Sequence, residues 1–188
     1  MKRKLYTVLT VLMVVMLTTS PALARGAIKL SSSDFALGSF ITSGIATGLS
    51  NVDWIFEVNA SGHASVICTN YGSNDVPGQS SPHVDGKGTQ DVPQEQITKN
   101  GKASFYVRAV PPEEQNPVIS WDAGGCPNPN WSARIDFVYW DSAIIQVIDP
   151  STYQVAATFK FNCVTTRIPQ EDGYTFDDGT VSCTPVNN

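Results

Sequence analysis

The chain has 188 residues, of which 41% are hydrophobic and only 15% are charged, and its formal net charge is −5. This length fits one domain, or one domain with a small appendage. Long-helix and coiled-coil proteins need many Glu, Lys, Leu and Ala residues at helical spacing, so the composition argues against that class. The two histidines leave little room for a histidine-rich metal centre.

The N-terminal residues 1–24 have the three parts of a secretory signal peptide. A basic start at 2–4 precedes an apolar run of 13 residues at 5–17, and residues 21–24 supply a small-residue Ala-x-Ala cleavage site. The apolar run is too short to span a bilayer comfortably. We therefore expect cleavage after Ala24 rather than an uncleaved membrane anchor.

Export would set the charge and the surroundings of the mature chain. Cleavage leaves 164 residues and, because it removes three basic residues and no acid from a chain at −5, a net charge of −8. That charge argues against nucleic-acid and anionic-lipid partners, both of which need a basic surface. No second apolar stretch is longer than a strand, and no cysteine lies near the cleavage site to carry a lipid. We predict a secreted or cell-surface protein with no transmembrane span in the mature chain.

Apolar and polar residues alternate with a period of two along most of the remaining chain, which indicates strands that bury one face. In chain order, the predicted strands cover residues 38–47, 52–58, 63–69, 84–92, 102–110, 133–140, 143–149 and 153–161. Turn residues separate them, notably at 59–62, 100–101, 141–142 and 149–152. About eight short antiparallel strands predict an all-β fold, an antiparallel β-sandwich that is immunoglobulin-like in a loose sense. A closed barrel is the alternative, because strand count does not separate the two.

The predicted organisation has four parts: a signal peptide at 1–24, a leader segment at 25–37, the β-sandwich domain at 38–166 and a C-terminal extension at 167–188. Two long loops, 71–82 and 111–130, interrupt the strands. Loops on a rigid scaffold are where binding residues most often lie, so we expect the function there.

The four cysteines, Cys68, Cys126, Cys163 and Cys183, are expected to be paired, because exported chains meet oxidising conditions. Four cysteines allow three connectivities. We favour Cys68–Cys126 with Cys163–Cys183, since the second bond would hold a tail that has few apolar residues of its own. The alternative pairing of Cys68 with Cys163 would imitate the inter-sheet bond of immunoglobulin domains and leave Cys126 to Cys183. A zinc site is disfavoured, because no pair has Cys-x-x-Cys spacing.

Three segments carry a resemblance to a protein family. They are CTNYGSNDVPGQ at 68–79, the KNG tripeptide at 99–101 followed by Phe105, and CPNPNW at 126–131. In this order they resemble segments of small secreted bacterial β-sandwich proteins that have no established activity, and the resemblance covers roughly residues 38–161. It implies that Cys68 and Cys126 belong together. Cys163 and Cys183 depart from the pattern of that family, as an added extension with its own bond would.

The sequence has no catalytic motif, and we predict that the chain is not an enzyme. A serine hydrolase needs a histidine base beside its nucleophile, but neither His63 nor His83 is accompanied by a Gly-x-Ser-x-Gly nucleophile elbow. Both are interpreted as surface histidines. The acidic turns at 171–173 and 177–179 suggest calcium, yet they lack the Asp-x-Asp-x-Asp-Gly order of a calcium loop, so solvated turns are favoured. We predict no catalytic residue, no metal site and no cofactor.

Aromatic residues in the two long loops are the candidate binding residues. Tyr71 follows the first cysteine, and Trp121, Asp122 and Trp131 flank the second, so a bond between those cysteines would bring the three rings near one another. Exposed rings beside Asp and Asn are what a sugar-binding face uses, through stacking and hydrogen bonds. The alternative is that the tryptophans cover the disulfide and close the core, which we favour for Trp131. Trp54 has the register of a core residue.

Three functions follow as hypotheses. The first is a non-catalytic interaction or structural-assembly module that binds an extracellular protein, a glycan or a second copy of itself. The second is a carbohydrate-binding module that uses the loop aromatics, and the third is an extracellular hydrolase. A buried Trp121 would contradict the second hypothesis. A histidine within hydrogen-bond reach of both Ser and Asp, in a cleft, would favour the third.

Overall fold

The computed structural model describes residues 27–37, 39–111, 116–168 and 179–186. The predicted signal peptide and the acidic turns at 171–173 and 177–178 lie outside these residues. Within them the chain forms ten strands and one 3-10 turn, Gln94–Gln96. The strands are β1 (Lys29–Ala36), β2 (Phe40–Thr47), β3 (Trp54–Thr69), β4 (Asp75–Pro77), β5 (His83–Val92), β6 (Lys102–Ala109), β7 (Val118–Ile119), β8 (Ser132–Asp149), β9 (Gln154–Arg167) and β10 (Gly179–Pro185).

The strands form two antiparallel sheets, and the predicted all-β sandwich is confirmed. A small sheet has the order β1-β2-β6. A large sheet has the order β10-β9-β8-β3-β4, with β5 also pairing with β3 and β7 with β8. On one side the two sheets are bridged by Lys87 of β5 and Val110 after β6, which exchange backbone hydrogen bonds of 3.4 and 3.2 Å. On the other side β10 approaches β1, and Gly179 lies against Leu37. The predicted likeness to immunoglobulin domains stays a prediction.

Two predicted turns are wrong, because residues 59–62 and 141–142 lie inside the long strands β3 and β8. The two segments pair with each other, and a register shift beside Gly62 leaves Asp141 as an extra residue in β8. Such a bulge absorbs residues that favour turns without ending the strand. A side chain on Gly62 would overlap the carbonyl oxygen of Tyr139, so glycine is needed here for close packing rather than for a turn.

The core lies between the small sheet and one half of the large sheet. Aromatic rings carry much of it: Phe105 stacks on Phe56 at 4.8 Å between ring centroids, and Phe40 meets Trp140 edge-on at 5.5 Å. Trp54 is 1% exposed, which confirms its predicted place in the core. Burying rings of this size contributes most of the hydrophobic stabilisation of a small sandwich.

Both ends of the described chain add strands to the sandwich. Strand β1 lies within the segment 25–37 that was predicted to be a leader, and it pairs with β2 along its whole length. Strand β10 belongs to the C-terminal extension and pairs with β9, placing Cys183 directly opposite Cys163. These two strands are therefore the outer strands of the small and the large sheet on the same side of the sandwich.

Candidate functional site

Both disulfide bonds form as predicted. Cys68 at the end of β3 is bonded to Cys126 in the loop before β8, and Cys163 on β9 is bonded to Cys183 on β10. The alternative pairing of Cys68 with Cys163 is excluded. The first bond connects β3, at the base of residues 70–80, to residues 120–131, and we call the segments 70–80 and 120–131 the linked loops.

Backbone contacts hold the linked loops together beside the disulfide. The N–H groups of Gln79 and Ser80 donate to the carbonyl oxygens of Gly125 and Gly124, each at 3.4 Å. Gly125 has a φ of 66°, and a side chain there would overlap the backbone of Ser80, so glycine is needed for this close approach. The linked loops consequently have a fixed relative position.

A small apolar cluster lies beneath the linked loops, separate from the main core. Its buried members are Val66, Cys68, Cys126 and Ala133, with Ile119 and Trp131 packed against them. Trp131 is half-buried in this cluster, so it covers the disulfide, as the sequence favoured. Its indole therefore contributes to the stability of the linked loops and offers only part of its surface to a ligand.

Tyr71 projects from the tip of the first linked loop and is 89% exposed. The turn that carries it is held by Asn70, whose side-chain oxygen accepts the backbone N–H groups of Gly72 at 2.9 Å and Asn74 at 3.0 Å. The N–H of Ser73 adds a 2.9 Å bond to the Asn70 carbonyl. An Asn side chain that accepts nearby backbone N–H groups stabilises a turn locally. The ring is therefore exposed while its backbone is fixed.

Trp121 and Asp122 lie in the second linked loop, in the turn that leads to Cys126. The N–H of Cys126 donates to the Trp121 carbonyl at 2.8 Å, and the Trp121 side chain is 37% exposed. A hydrogen bond from the Ser120 side chain, together with the backbone N–H groups of Asp122 and Ala123, lowers the pKa of the Asp122 carboxyl. This loop thus presents an aromatic edge beside an anionic group.

The three predicted rings do not form one stacked platform. Among the described residues, no ring–ring contact joins Tyr71, Trp121 and Trp131. Tyr71 is the most exposed of them, Trp121 is partly exposed and Trp131 is packed on the apolar cluster. A ligand at the linked loops would therefore meet Tyr71, the open edge of Trp121 and Asp122.

A histidine does lie within reach of Ser and Asp, on the outer face of the large sheet. The Nε2 atom of His83 is 3.3 Å from the Ser61 hydroxyl and 3.0 Å from an Asp85 carboxylate oxygen. A catalytic triad needs the Asp on one ring nitrogen and the Ser on the other, because the base must accept the proton of the nucleophile. Here both partners share one nitrogen, and the His83 side chain is 67% exposed, outside any enclosed cleft. This geometry does not support proton relay.

Both bulges of β8 place an aspartate as the extra residue, a feature that the sequence reading missed. Asp141 meets His63 at 2.8 Å. Asp136 lies 2.7 Å from the guanidinium of Arg167, with only 7% and 17% of these two side chains exposed, and that guanidinium also lies over the Phe137 ring. Each bulge interrupts the alternation of β8, so that Ile135, Val138, Trp140 and Ala143 all belong to the main core. A cavity of about 240 Å³ lies beside the Asp136–Arg167 pair.

The described residues contain neither a metal-binding cluster nor a membrane-spanning helix. No group of three or more His, Cys, Asp or Glu side chains in ranges 27–37, 39–111, 116–168 and 179–186 is arranged to hold a metal ion. No helix in that part of the chain is both long enough and apolar enough to cross a membrane.

Comparison with known proteins gives no match: no protein-family model, no curated protein and no solved structure matches this chain. The resemblance to small secreted bacterial proteins therefore stays an expectation from three sequence segments. The two disulfide bonds are typical of proteins from oxidising compartments.

Proposed function

We propose that this protein is a secreted or cell-surface interaction module, without catalytic activity, that binds an extracellular partner through its linked loops. The observation that carries the proposal is the 89% exposure of Tyr71 on a turn whose backbone is fixed. The predicted signal peptide and the two disulfides support an extracellular location.

Rigid presentation of an aromatic ring favours binding for an energetic reason. Association must offset the entropy lost when loops and side chains become ordered at the interface. The Cys68–Cys126 bond and the Asn70 hydrogen bonds restrict the backbone before any partner arrives. Tyrosine has only two side-chain torsions to restrict, and it is enriched among residues that dominate interface energies. Tyr71 is thus suited to be the central contact.

A glycan is the second candidate ligand, and Trp121 is the residue that favours it. Its indole remains partly exposed, and the adjacent Asp122 carboxylate can accept hydrogen bonds from sugar hydroxyls. A protein partner would instead need a larger contact area that covers both linked loops. The two classes therefore differ in the area that they bury.

The test is a binding screen with a matched tyrosine control. The purified, disulfide-bonded chain would be probed against glycan arrays and panels of extracellular proteins, and each positive would be measured by titration. Tyr71→Ala should weaken binding by about tenfold or more, as a central interface residue does. Tyr153→Ala is the control, because Tyr153 is 79% exposed in the β8–β9 turn, at the opposite end of the sandwich. Equal effects of the two substitutions, or no ligand in either panel, would contradict the proposal.

A further inference from the structure

Strand β1 is an open edge of the small sheet. Among the described residues, β1 pairs with β2 on one side and with no strand on the other. It is eight residues long, contains no proline and has three consecutive serines at its centre. An unpaired edge of this length exposes backbone N–H and C=O groups that can pair with another strand.

The other edges of the described sheets are less suited to pairing. β4 has only three residues and ends at Pro77, and β7 has only two. β10 ends at Pro185, and proline cannot donate a backbone hydrogen bond. The free side of β5 is approached by the small sheet through the Lys87–Val110 bridge. β10 approaches the C-terminal end of β1, where Gly179 lies against Leu37, so the first half of β1 is the accessible long edge in this part of the chain.

A groove of about 440 Å³ lies beside the first half of β1. Its walls are residues 29–33 of β1, residues 158–161 of β9, and Pro185 and Val186. Leu30 and Phe159 face it as partly buried apolar residues packed on the edge of the main core. An added strand beside β1 would cover these side chains and bury apolar area in addition to its hydrogen bonds.

The charges of β1 are arranged to fit a second copy of the same strand. A register shift between Leu30 and Ser32 marks a bulge in the first half of β1, and the point between Ser31 and Ser32 is the centre considered for pairing. The bulge makes the burial pattern symmetric: Lys29 and Asp34 are exposed on the two sides of it, and Leu30 and Ser33 are partly buried next to it. Antiparallel pairing about this centre places Lys29 opposite Asp34 of the second copy, twice by symmetry.

We propose that β1 pairs antiparallel with β1 of a second copy, forming a two-fold symmetric dimer with two Lys29–Asp34 ion pairs. Opposite charges directly across an antiparallel pair stabilise it, whereas like charges destabilise it. Leu30 of each copy lies opposite Ser33 of the other, facing the groove beside β1. Lysine on an edge strand ordinarily deters pairing. Here it selects one register and one partner, since only a strand with an acid at the matching position neutralises it.

This surface is separate from the linked loops, and the proposal does not rest on the proposed function. Lys29 pairs with Thr47, and this end of the small sheet packs near the start of β3. Cys68 and the linked loops lie near the other end of β3. Because the two copies run antiparallel, the linked loops would point to opposite ends of the dimer. A dimer could then hold two partners at once.

Charge-reversal variants of Lys29 and Asp34 test the dimer, because the double reversal should restore what each single reversal removes. Sedimentation velocity over a concentration series should show a monomer–dimer equilibrium for the purified, disulfide-bonded chain. Lys29→Asp and Asp34→Lys should each raise the dimer dissociation constant by about tenfold or more, because each replaces two attractive pairs by two repulsive ones. The double variant K29D/D34K should return it to within about threefold of the original value, since the pairs are restored with reversed sign.

Three controls show whether a loss of dimer comes from the β1 charges rather than from misfolding or from a change in the linked loops. Lys99→Asp, a reversal at an exposed lysine outside β1, should leave the dissociation constant unchanged. Raising the salt from about 0.1 M to about 1 M should weaken the original dimer but rescue the single variants, because charges are then screened within about 3 Å. Tyr71→Ala should not affect dimerisation. A chain that stays monomeric throughout, or a dimer that the single reversals leave intact or the double variant does not restore, would overturn the proposal.

Discussion

Removal of the Cys68–Cys126 bond should destabilise the protein more than removal of the Cys163–Cys183 bond. The first bond closes a separation of 58 residues and the second a separation of 20. Loop-closure entropy of the unfolded chain then gives about 4 kcal/mol for the first bond and about 3 kcal/mol for the second. Cys68 and Cys126 are buried at 0% and 5% exposure, so the double replacement by Ala avoids burying a new hydroxyl.

The assay is urea unfolding of the two double variants, C68A/C126A and C163A/C183A, beside the unaltered chain. The first variant should lose about 4 kcal/mol of unfolding free energy at 25 °C with a cooperative transition. The second should lose less than the first, both because its loop is shorter and because Cys163 and Cys183 also pair in the β9–β10 ladder. A loss below about 1 kcal/mol for the first variant, or a larger loss for the second, would refute the reasoning.

Three further predictions concern single residues. Asp136→Ala should lower the unfolding free energy by about 3 kcal/mol in chemical denaturation, since it leaves the nearly buried Arg167 guanidinium without its carboxylate. Partial burial acts to raise the pKa of Glu57, but hydrogen bonds from Asn59 and Lys87 and the charge of Lys87 outweigh it and lower the pKa below 4.5. The ionised carboxylate therefore stabilises the fold fully above that pH, and this stabilisation is lost as the pH falls through the lowered pKa. In acid, the unfolding free energy of the original chain should fall more steeply than that of Glu57→Gln. Gly62→Ala should lower the thermal midpoint, with a loss of about 2 kcal/mol, because its side chain overlaps the β8 backbone; an unchanged midpoint would show that the strands can separate there.

The sequence predicted most strands because their inward faces alternate strictly. β2, β5 and β6 lie within one or two residues of the predicted segments 38–47, 84–92 and 102–110. The two long strands were each predicted as two short ones, since turn-forming residues at 59–62 and 141–142 were weighed locally. Yet every second residue of β3 is buried from its first residue to its last. The continuing alternation was therefore the better signal, and pairing between β3 and β8 overrode the local turn preference.

The candidate site was predictable in part. The linked loops were predicted as the candidate site for two reasons. Cysteines of an exported chain are expected to form disulfides, and long loops often carry exposed binding residues. The sequence did not predict that Tyr71 is exposed and Trp131 packed, because this depends on which side of each loop meets the apolar cluster. The spacing of residues along the sequence does not reveal that side. The Asp136–Arg167 contact was not predictable, since the sequence pattern does not reveal the bulge at Asp136, after which Val138 and Trp140 rather than Phe137 and Tyr139 join the main core.

The unequal lengths of the strands explain why the binding surface and the first disulfide lie together. β3 has 16 residues and spans about 50 Å, whereas the eight-residue strands of the small sheet span about 26 Å and pack over its first half. Over the second half, the linked loops cover Val66 and Ala133 instead. Loops with so little apolar area contribute little burial energy of their own, so a covalent bond must hold them. The same bond then fixes the backbone beneath Tyr71, and its removal should weaken partner binding as well as stability, whereas removal of Cys163–Cys183 should leave binding unchanged.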